Sequence, residues 1–385
     1  MDICKKNECS GCGVCTTVCS RHAISMEEKQ NGHLYPVVDE AICVSCGACT
    51  KVCSNNNLPV FRNPSAAFIA TAVDKNESVN STSAGIASVL SRLIIRNGGV
   101  VYGCCGEEID HIKHIRVVDE NDLSKLKGSK YVQSSLCEVL PLLKEDIKSG
   151  RTTLFIGTPC QVAGVQQYLH TPDNLITIDI ICHGVPSQRL LIDAIKDYLP
   201  NKDLSHLRIN FRKKVKGKSL YGFFVEDNNG NVVYSSTYPS NEYITGFLSG
   251  LFYRESCYQC HYAKPERVSD ITLGDYWDHG ENVEITNKEG GMSMLIINTN
   301  KGERLVNNHK DYLHMLPSEY ISFVKRNGQL HHPIKKDDNY QSFLYDYGRM
   351  GFIHAAKKNL WKRSLEIRIH LALNRISSLK HKVFG

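Results

Sequence analysis

The chain has 385 residues, a formal net charge of +6, 42% hydrophobic residues and 16 cysteines. That length holds a small module plus one large domain or two, and the hydrophobic share is that of an ordinary globular protein. Residues 351–385 carry eight Lys/Arg against Glu366 alone, so the rest of the chain is close to neutral and shows no electrostatic footprint for nucleic acid. Met1-Asp2-Ile3-Cys4 opens without an apolar stretch and no apolar run reaches membrane-spanning length, so a reducing, cytoplasmic location is expected.

Two copies of one cysteine ladder come first: Cys9-x2-Cys12-x2-Cys15-x3-Cys19 and Cys43-x2-Cys46-x2-Cys49-x3-Cys53. This is the spacing of a two-cluster bacterial ferredoxin, in which the fourth cysteine of each run ligates the other cluster. Cys9, Cys12, Cys15 and Cys53 are therefore assigned to one 4Fe-4S cluster, and Cys43, Cys46, Cys49 and Cys19 to a second. Zinc ribbons use paired knuckles instead, and disulfide frameworks suit small secreted domains. Ser20 and Ser54 replace the usual proline after each fourth cysteine; proline is not a ligand, so its loss bears on local rigidity or hydrogen bonding and should not prevent cluster binding. Between the runs, Ala23–Met26 and Tyr35–Val38 read as short strands joined through a turn at Asn31-Gly32. Such a unit has almost no apolar core, and its clusters must supply much of its folding energy.

Asn55–Pro64 reads as a linker, and a strand follows at Ala67–Val73. Ser81-Thr82-Ser83-Ala84-Gly85 opens an apolar periodic helix to about Arg96, ended by Asn97-Gly98-Gly99 before a strand at Val100–Tyr102. Small residues at a helix start admit a phosphate to backbone N–H groups, although most such residues are simply a cap. Thr153–Ile156 is a buried strand running into Gly157-Thr158-Pro159-Cys160-Gln161, with Thr158 as helix cap and Pro159 first in the helix. The strand Leu175–Ile181 ends at Cys182-His183-Gly184-Val185-Pro186, and Pro186 begins a helix to about Tyr198. Cys160 and Cys182 thus stand beyond the carboxyl ends of consecutive, parallel strands, where open α/β sheets bind ligands.

Cys257-x2-Cys260 supplies two thiols and needs two more donors. Cys160 and Cys182 are the natural ones, and the four together would hold a third 4Fe-4S cluster. The alternative is that Cys160 and Cys182 are buried apolar residues while Cys257 and Cys260 bind zinc or nothing. Cys4, Cys104, Cys105 and Cys137 lack ligand spacing and read as core or surface cysteines.

These motifs together resemble the coenzyme F-420 hydrogenase/dehydrogenase beta-subunit family, here with an N-terminal ferredoxin module. The matching stretches are Ser81–Gly85, Lys127–Tyr131, Ile156–Gln161, Asp179–Pro186, Asn210-Phe211-Arg212, Cys257-x2-Cys260 and Ser269–Trp277. The resemblance implies an FAD-binding α/β domain, in which a flavin couples two-electron chemistry to one-electron clusters. It implies that Ser81, Ser83 and Gly85 contact FAD phosphate or ribose, and that Lys127, Ser129 and Lys130 hold its anionic or ring groups. Thr158 is counted as a further cofactor contact. It also supports Cys160, Cys182, Cys257 and Cys260 as ligands of a proximal cluster. His183 is either a proton donor beside the flavin or a structural histidine, and the role of Asp275 is equally open. The family pattern near residue 84 usually has two glycines, where this chain has Ala84-Gly85.

Trp361, Leu365, Ile369, Ala372, Ile376, Leu379 and Val383 recur at helical spacing among lysines and arginines. Such a helix docks on its own domain or on a partner protein, rests on an anionic membrane surface, or frays. The expected architecture is an α+β dicluster module (1–62), an α/β domain with a mixed, partly parallel sheet (63–345) and a basic amphipathic helical tail (346–385). The expected function is a flavin- and iron–sulfur-dependent oxidoreductase passing electrons between a one-electron carrier and a two-electron organic substrate, the deazaflavin coenzyme or another small molecule. Its rivals are an electron-transfer subunit docking on a catalytic partner and a redox-sensing iron–sulfur protein.

Overall fold

In the computed structural model, residues 1–215, 218–277 and 283–384 are described. The N-terminal module pairs β1 (Ile24–Glu28) with β2 (Leu34–Val38) in an antiparallel hairpin, from Ile24 opposite Val38 to Glu28 opposite Leu34. One-and-a-half-turn helices, Val14–Val18 and Ala48–Val52, follow equivalent points of the two cysteine runs. The module's own apolar cluster is small, centred on Ile3, Ile24 and Cys49.

Eight strands make the main sheet among the described residues: β3 (Ala66–Ala72), β4 (Val100–Cys105), β5 (Lys113–Val117), β6 (Thr153–Gly157), β7 (Leu175–Ile180), and, further along the chain, β11 (Ile271–Tyr276), β12 (Met292–Ile297) and β13 (Leu313–Pro317). Their order is β13-β3-β12-β11-β7-β6-β4-β5. The run β11-β7-β6-β4 is parallel, and the other pairings are antiparallel, so the sheet is mixed and partly parallel as expected. Side chains alternate across it with the period of two that a pleated strand imposes. Leu154 faces a core shared with the helix Ile86–Arg96, and Phe155 faces a second core shared with the helices Val139–Lys148 and Pro159–Leu169. Val14 of the module enters that second core, so the module is packed against the sheet's helical layer.

A second, antiparallel sheet of β8 (Leu207–Val215), β9 (Lys218–Asp227) and β10 (Val232–Thr237) packs its buried Ile209, Phe211, Phe223 and Val225 against the helix Glu242–Ser249. The sequence reading did not anticipate it. Two boundaries also differ from expectation. The helix expected to open at Ser81 starts at Ile86, because Ser81–Gly85 is a turn capped by Gly85. The helix expected from Pro186 starts at Gln188, because the Ser187 side chain accepts from the Leu190 N–H and caps it there.

The C-terminal helix runs Phe352–Phe384. Phe352, Ala355, Ala356 and Leu360 are buried in the core beside Tyr243 and Phe343, whereas Trp361, Leu365 and Ile369 are exposed. The remaining members of the stripe, Ala372, Ile376, Leu379 and Val383, lie outside the residues whose side chains are described. Among the described residues no helix is long and apolar enough to cross a membrane.

A buried ion pair holds the carboxyl end of β7. Arg267 Nη2 lies 2.9 Å from Asp179 Oδ1, and the two side chains are 2% and 0% exposed. The same guanidinium donates to the Tyr262 carbonyl and to Thr272, while its backbone pairs with Arg62 and docks the linker. Arg267→Met should leave Asp179 as a buried, unpaired charge and cost about 3–5 kcal/mol in denaturant unfolding; a loss below about 1 kcal/mol would show the pair to be dispensable.

Candidate functional site

The thiols of the first run gather with the last cysteine of the second. Burial pushes Cys12 up to about 12 and Cys15 upward as well, and the charges of Cys9 and Cys53 add to both shifts. Cys4 joins them: its thiol hydrogen-bonds Cys53 and Cys9, which suppresses its own ionisation and promotes theirs. Nothing in the spacing signals this fifth thiol. Cys19, Cys43, Cys46 and Cys49 line a separate cavity with Met1, Ile24 and Val38. Backbone N–H groups of Ala23 and Ser45 point at Cys19 and Cys43 Sγ, each at 3.4 Å, and Cys46 is exposed to solvent. The second thiol group therefore faces outward and the first faces the large domain.

Three separate segments carry a further four cysteines to one cavity. Thr158 and Gln161 form a reciprocal capping box that fixes the start of the helix Pro159–Leu169, and Cys160 sits in its first turn. Cys182 follows β7, and Cys257 and Cys260 lie within and at the end of the single turn Glu255–Gln259. All four border the same cavity, with Thr158, His183, Gly184 and Val185. Burial pushes all four thiols up, Cys182 to about 12 and Cys260 to about 11, and the charge of Cys160 pushes the other three further.

Thiols crowded in this way repel one another as anions until cations sit among them, and a coordinating metal deprotonates them outright. Among the described residues no three or more His, Cys, Asp or Glu groups close on a point as they would around one metal ion. Thiols bordering a cavity suit a cube that carries its irons at separate corners, so the donor sets fit iron–sulfur clusters.

The residues expected to bind FAD fall into two groups. Ser81, Ser83, Gly85 and Lys127 assemble near a buried carboxylate, Glu77, which sequence reasoning missed. Glu77 accepts from Ser81 Oγ at 3.2 Å, Arg92 Nη2 at 2.6 Å and Lys127 Nζ at 2.7 Å. Burial opposes its ionisation, but the Lys127 ammonium and the Arg92 guanidinium outweigh that and hold it down at about 2. Ser83 Oγ donates to the Met292 carbonyl at 2.9 Å. Ala84 and Gly85 both have left-handed backbone, at φ +43° and +82°, so the position where the family favours a second glycine does adopt a conformation that glycine favours. A side chain at Gly85 would also meet the Glu77 carbonyl at 3.0 Å. The second group is dispersed. Thr158 Oγ1 stands 3.2 Å from Cys160 Sγ, beside the cysteine cavity. Ser129 neighbours the Tyr131 hydroxyl. Lys130 is turned inward, its Nζ donating to the Leu126 and Lys127 carbonyls at 2.9 and 2.6 Å, and burial lowers its pKa.

His183 and Asp275 are both engaged by protein groups. His183 Nδ1 lies 2.6 Å from the Tyr253 oxygen, and burial lowers its pKa. Its ring is 5.6 Å from Phe247, which stacks on Tyr131 at 4.3 Å. Asp275 pairs with Arg212 at 2.6 Å, and that guanidinium lies over the Tyr221 and Trp277 rings.

The dicluster fold and its cysteine sets define an iron–sulfur electron-transfer protein. Residues 8–57 match the model of the 4Fe-4S dicluster domain. Residues 150–319 match that of the C terminus of the coenzyme F420 hydrogenase/dehydrogenase beta subunit, so over that stretch the chain is similar to an F420 hydrogenase/dehydrogenase-like family. No curated protein matches the sequence. Among solved structures the chain is similar to one in the xenon-derivatised F420-reducing [NiFe] hydrogenase complex from Methanosarcina barkeri, at 18% identity and a TM-score of 0.49, covering 74% of this chain and 94% of that one.

Glu77 is the tie between helix and loop, and its pH dependence has a definite sign. Its pKa is depressed from an ordinary 4.5 to about 2, so its contribution is complete above 4.5 and is lost as pH falls toward 2. Glu77→Gln should cost about 1.5–3 kcal/mol at neutral pH and should flatten that acid limb in unfolding curves. An unchanged acid limb would assign it to other groups.

Proposed function

We propose that this protein is a flavin- and iron–sulfur-dependent oxidoreductase with three 4Fe-4S clusters. Supporting this reading above all is the meeting of Cys160, Cys182, Cys257 and Cys260, from three distant segments, at one cavity beyond the carboxyl ends of parallel strands. These four would hold the third cluster; Cys9, Cys12, Cys15 and Cys53 would hold the cluster next to it, and Cys19, Cys43, Cys46 and Cys49 the outer one, reached from solvent at Cys46. A one-electron carrier protein would dock at that outer cluster. FAD, when bound, supplies the exchange between one-electron and two-electron chemistry. Ser81, Ser83, Gly85, Lys127 and Arg92 would bind it at its phosphates, since two cations surround the single carboxylate of Glu77. Tyr253 donates its own proton to the Phe247 carbonyl, so His183 presents Nδ1–H to Tyr253 and leaves Nε2 as the proton acceptor toward a two-electron substrate. The substrate would be a deazaflavin or another small organic molecule. Thiols that hold iron–sulfur clusters rather than disulfides would suit a reducing, cytoplasmic compartment.

A second reading, an electron-transfer subunit without its own substrate, is favoured by the engagement of Lys127 and Lys130 with protein partners rather than open space. Flavin content separates the two. Protein purified without oxygen should contain about twelve irons and one acid-released FAD per chain, and Cys160→Ala or Cys257→Ala should remove about four irons while sparing the N-terminal eight. About eight irons in the unaltered protein would remove the third cluster, and twelve irons without flavin would leave the electron-transfer reading.

A further inference from the structure

Arg254 is 1% exposed, yet its partners include no carboxylate among the described residues. Nε donates to the Cys9 carbonyl at 2.5 Å, and Nη2 donates to the Leu34 carbonyl at 2.9 Å and lies 3.4 Å from Cys9 Sγ. Nη1 donates to Gln133 Oε1 at 3.2 Å, and the guanidinium lies 4.2 Å from the Tyr35 ring centroid. Gln133 in turn donates to the Ser10 carbonyl at 2.9 Å and faces the buried His33 at 3.0 Å. His33 stays neutral there, because burial and the nearby guanidinium both disfavour its cation. A cation removed from water among neutral groups is costly unless an anion compensates it. The anion that fits is the cluster of Cys9, Cys12, Cys15 and Cys53, a cube that is negative with its four thiolates and gains a further negative charge on reduction.

The backbone of the same residue belongs to the other cysteine cavity. Arg254 N–H donates to the Val185 carbonyl at 3.0 Å, and the Cys257 N–H donates to the Arg254 carbonyl at 2.9 Å. The Arg254 charge reaches Cys160, and that of Cys160 reaches Cys12. Gly11 reflects how closely this residue approaches: its φ is +68°, and a Cβ there would lie 2.7 Å from Arg254 Cζ.

We infer that Arg254 is a positioning residue for electron transfer: its side chain raises the reduction potential of the cluster held by Cys9, Cys12, Cys15 and Cys53, and its backbone fixes that cluster against the cavity of Cys160, Cys182, Cys257 and Cys260. This rests on the proposed clusters and adds the residue that links them. A positive charge beside the cluster stabilises its reduced form more than its oxidised form. An electron delivered by a one-electron carrier at the outer cluster is thereby drawn inward, and no proton moves, since guanidinium stays charged throughout.

The test is an anaerobic redox titration of the full chain followed by electron paramagnetic resonance, on the unaltered protein, Arg254→Gln and Arg254→Lys. The relevant signal is the one missing from Cys15→Ala. In Arg254→Gln its midpoint should move negative by about tenfold in the one-electron equilibrium, about 59 mV, with iron content unchanged. Arg254→Lys keeps the charge but not the fork that reaches two carbonyls, and should return at least half of the shift. A midpoint unchanged in Arg254→Gln with iron retained overturns the inference, as does a shift in Arg254→Lys equal to that in Arg254→Gln. If Arg254→Gln loses iron, Arg254→Lys decides: a near-normal midpoint supports the role of charge, and a negative shift of about tenfold overturns it. About eight irons in the unaltered protein defeats the third cluster and leaves this midpoint measurable, so the two readings fail separately.

Discussion

The burial of clustered cysteine thiols is the constraint on which the rest of this structure depends. In the set of Cys160, Cys182, Cys257 and Cys260, burial suppresses ionisation and neighbouring thiolate charge adds to it for Cys182, Cys257 and Cys260. Four such groups cannot all ionise side by side without cations among them, and the irons of a cluster would supply that charge directly. The small module depends on this most, because its own apolar cluster amounts to little more than Ile3, Ile24 and Cys49. It is held instead by bound clusters and by docking on the large domain, where Val14 enters the core of the helical layer.

The large domain presents its thiols on rigid elements. Cys160 stands on a helix start fixed by a capping box, and Cys182 follows a strand whose Asp179 is locked by Arg267. Only the Cys257–Cys260 turn is irregular, and its approach is secured by backbone bonds to Val185 and Arg254. If these four thiols hold the proposed third cluster, ligands carried on strand and helix ends would keep their relative positions without it, which would reduce the rearrangement that accompanies electron transfer.

The side of the domain proposed to hold the flavin phosphates is organised around a buried carboxylate, Glu77. Glu77 draws Lys127, Arg92 and Ser81 together, and the left-handed turn at Ala84-Gly85 depends on its position because the Glu77 backbone packs against Gly85. A carboxylate at the centre of a cationic loop keeps the cations in place and leaves a net positive charge. The aromatic group of Tyr131, Phe247, Tyr253 and His183 runs from Tyr131, which follows the Lys127–Lys130 loop in the chain, to His183, which borders the cysteine cavity.

The sequence by itself determined the ladder, its crossed fourth cysteines, the hairpin between the runs, and the parallel strands that end at Cys160 and Cys182. Those features are local: thiol spacing, turn residues and strand periodicity repeat within a few residues and need no partner elsewhere. The start of the helix at Ile86 rather than Ser81 was not legible, because the turn before it is set by Glu77 and by Met292, over two hundred residues from Ser83. Cys4 offered no spacing and was placed by the fold beside Cys9 and Cys53. Arg254 offered no signal of its own, being one of an Arg254-Glu255 pair between the apolar Leu251-Phe252-Tyr253 and the Cys257-x2-Cys260 pair. Its reach to Cys9 spans 245 positions of chain, and contacts that distant are decided only when separately folded elements pack together.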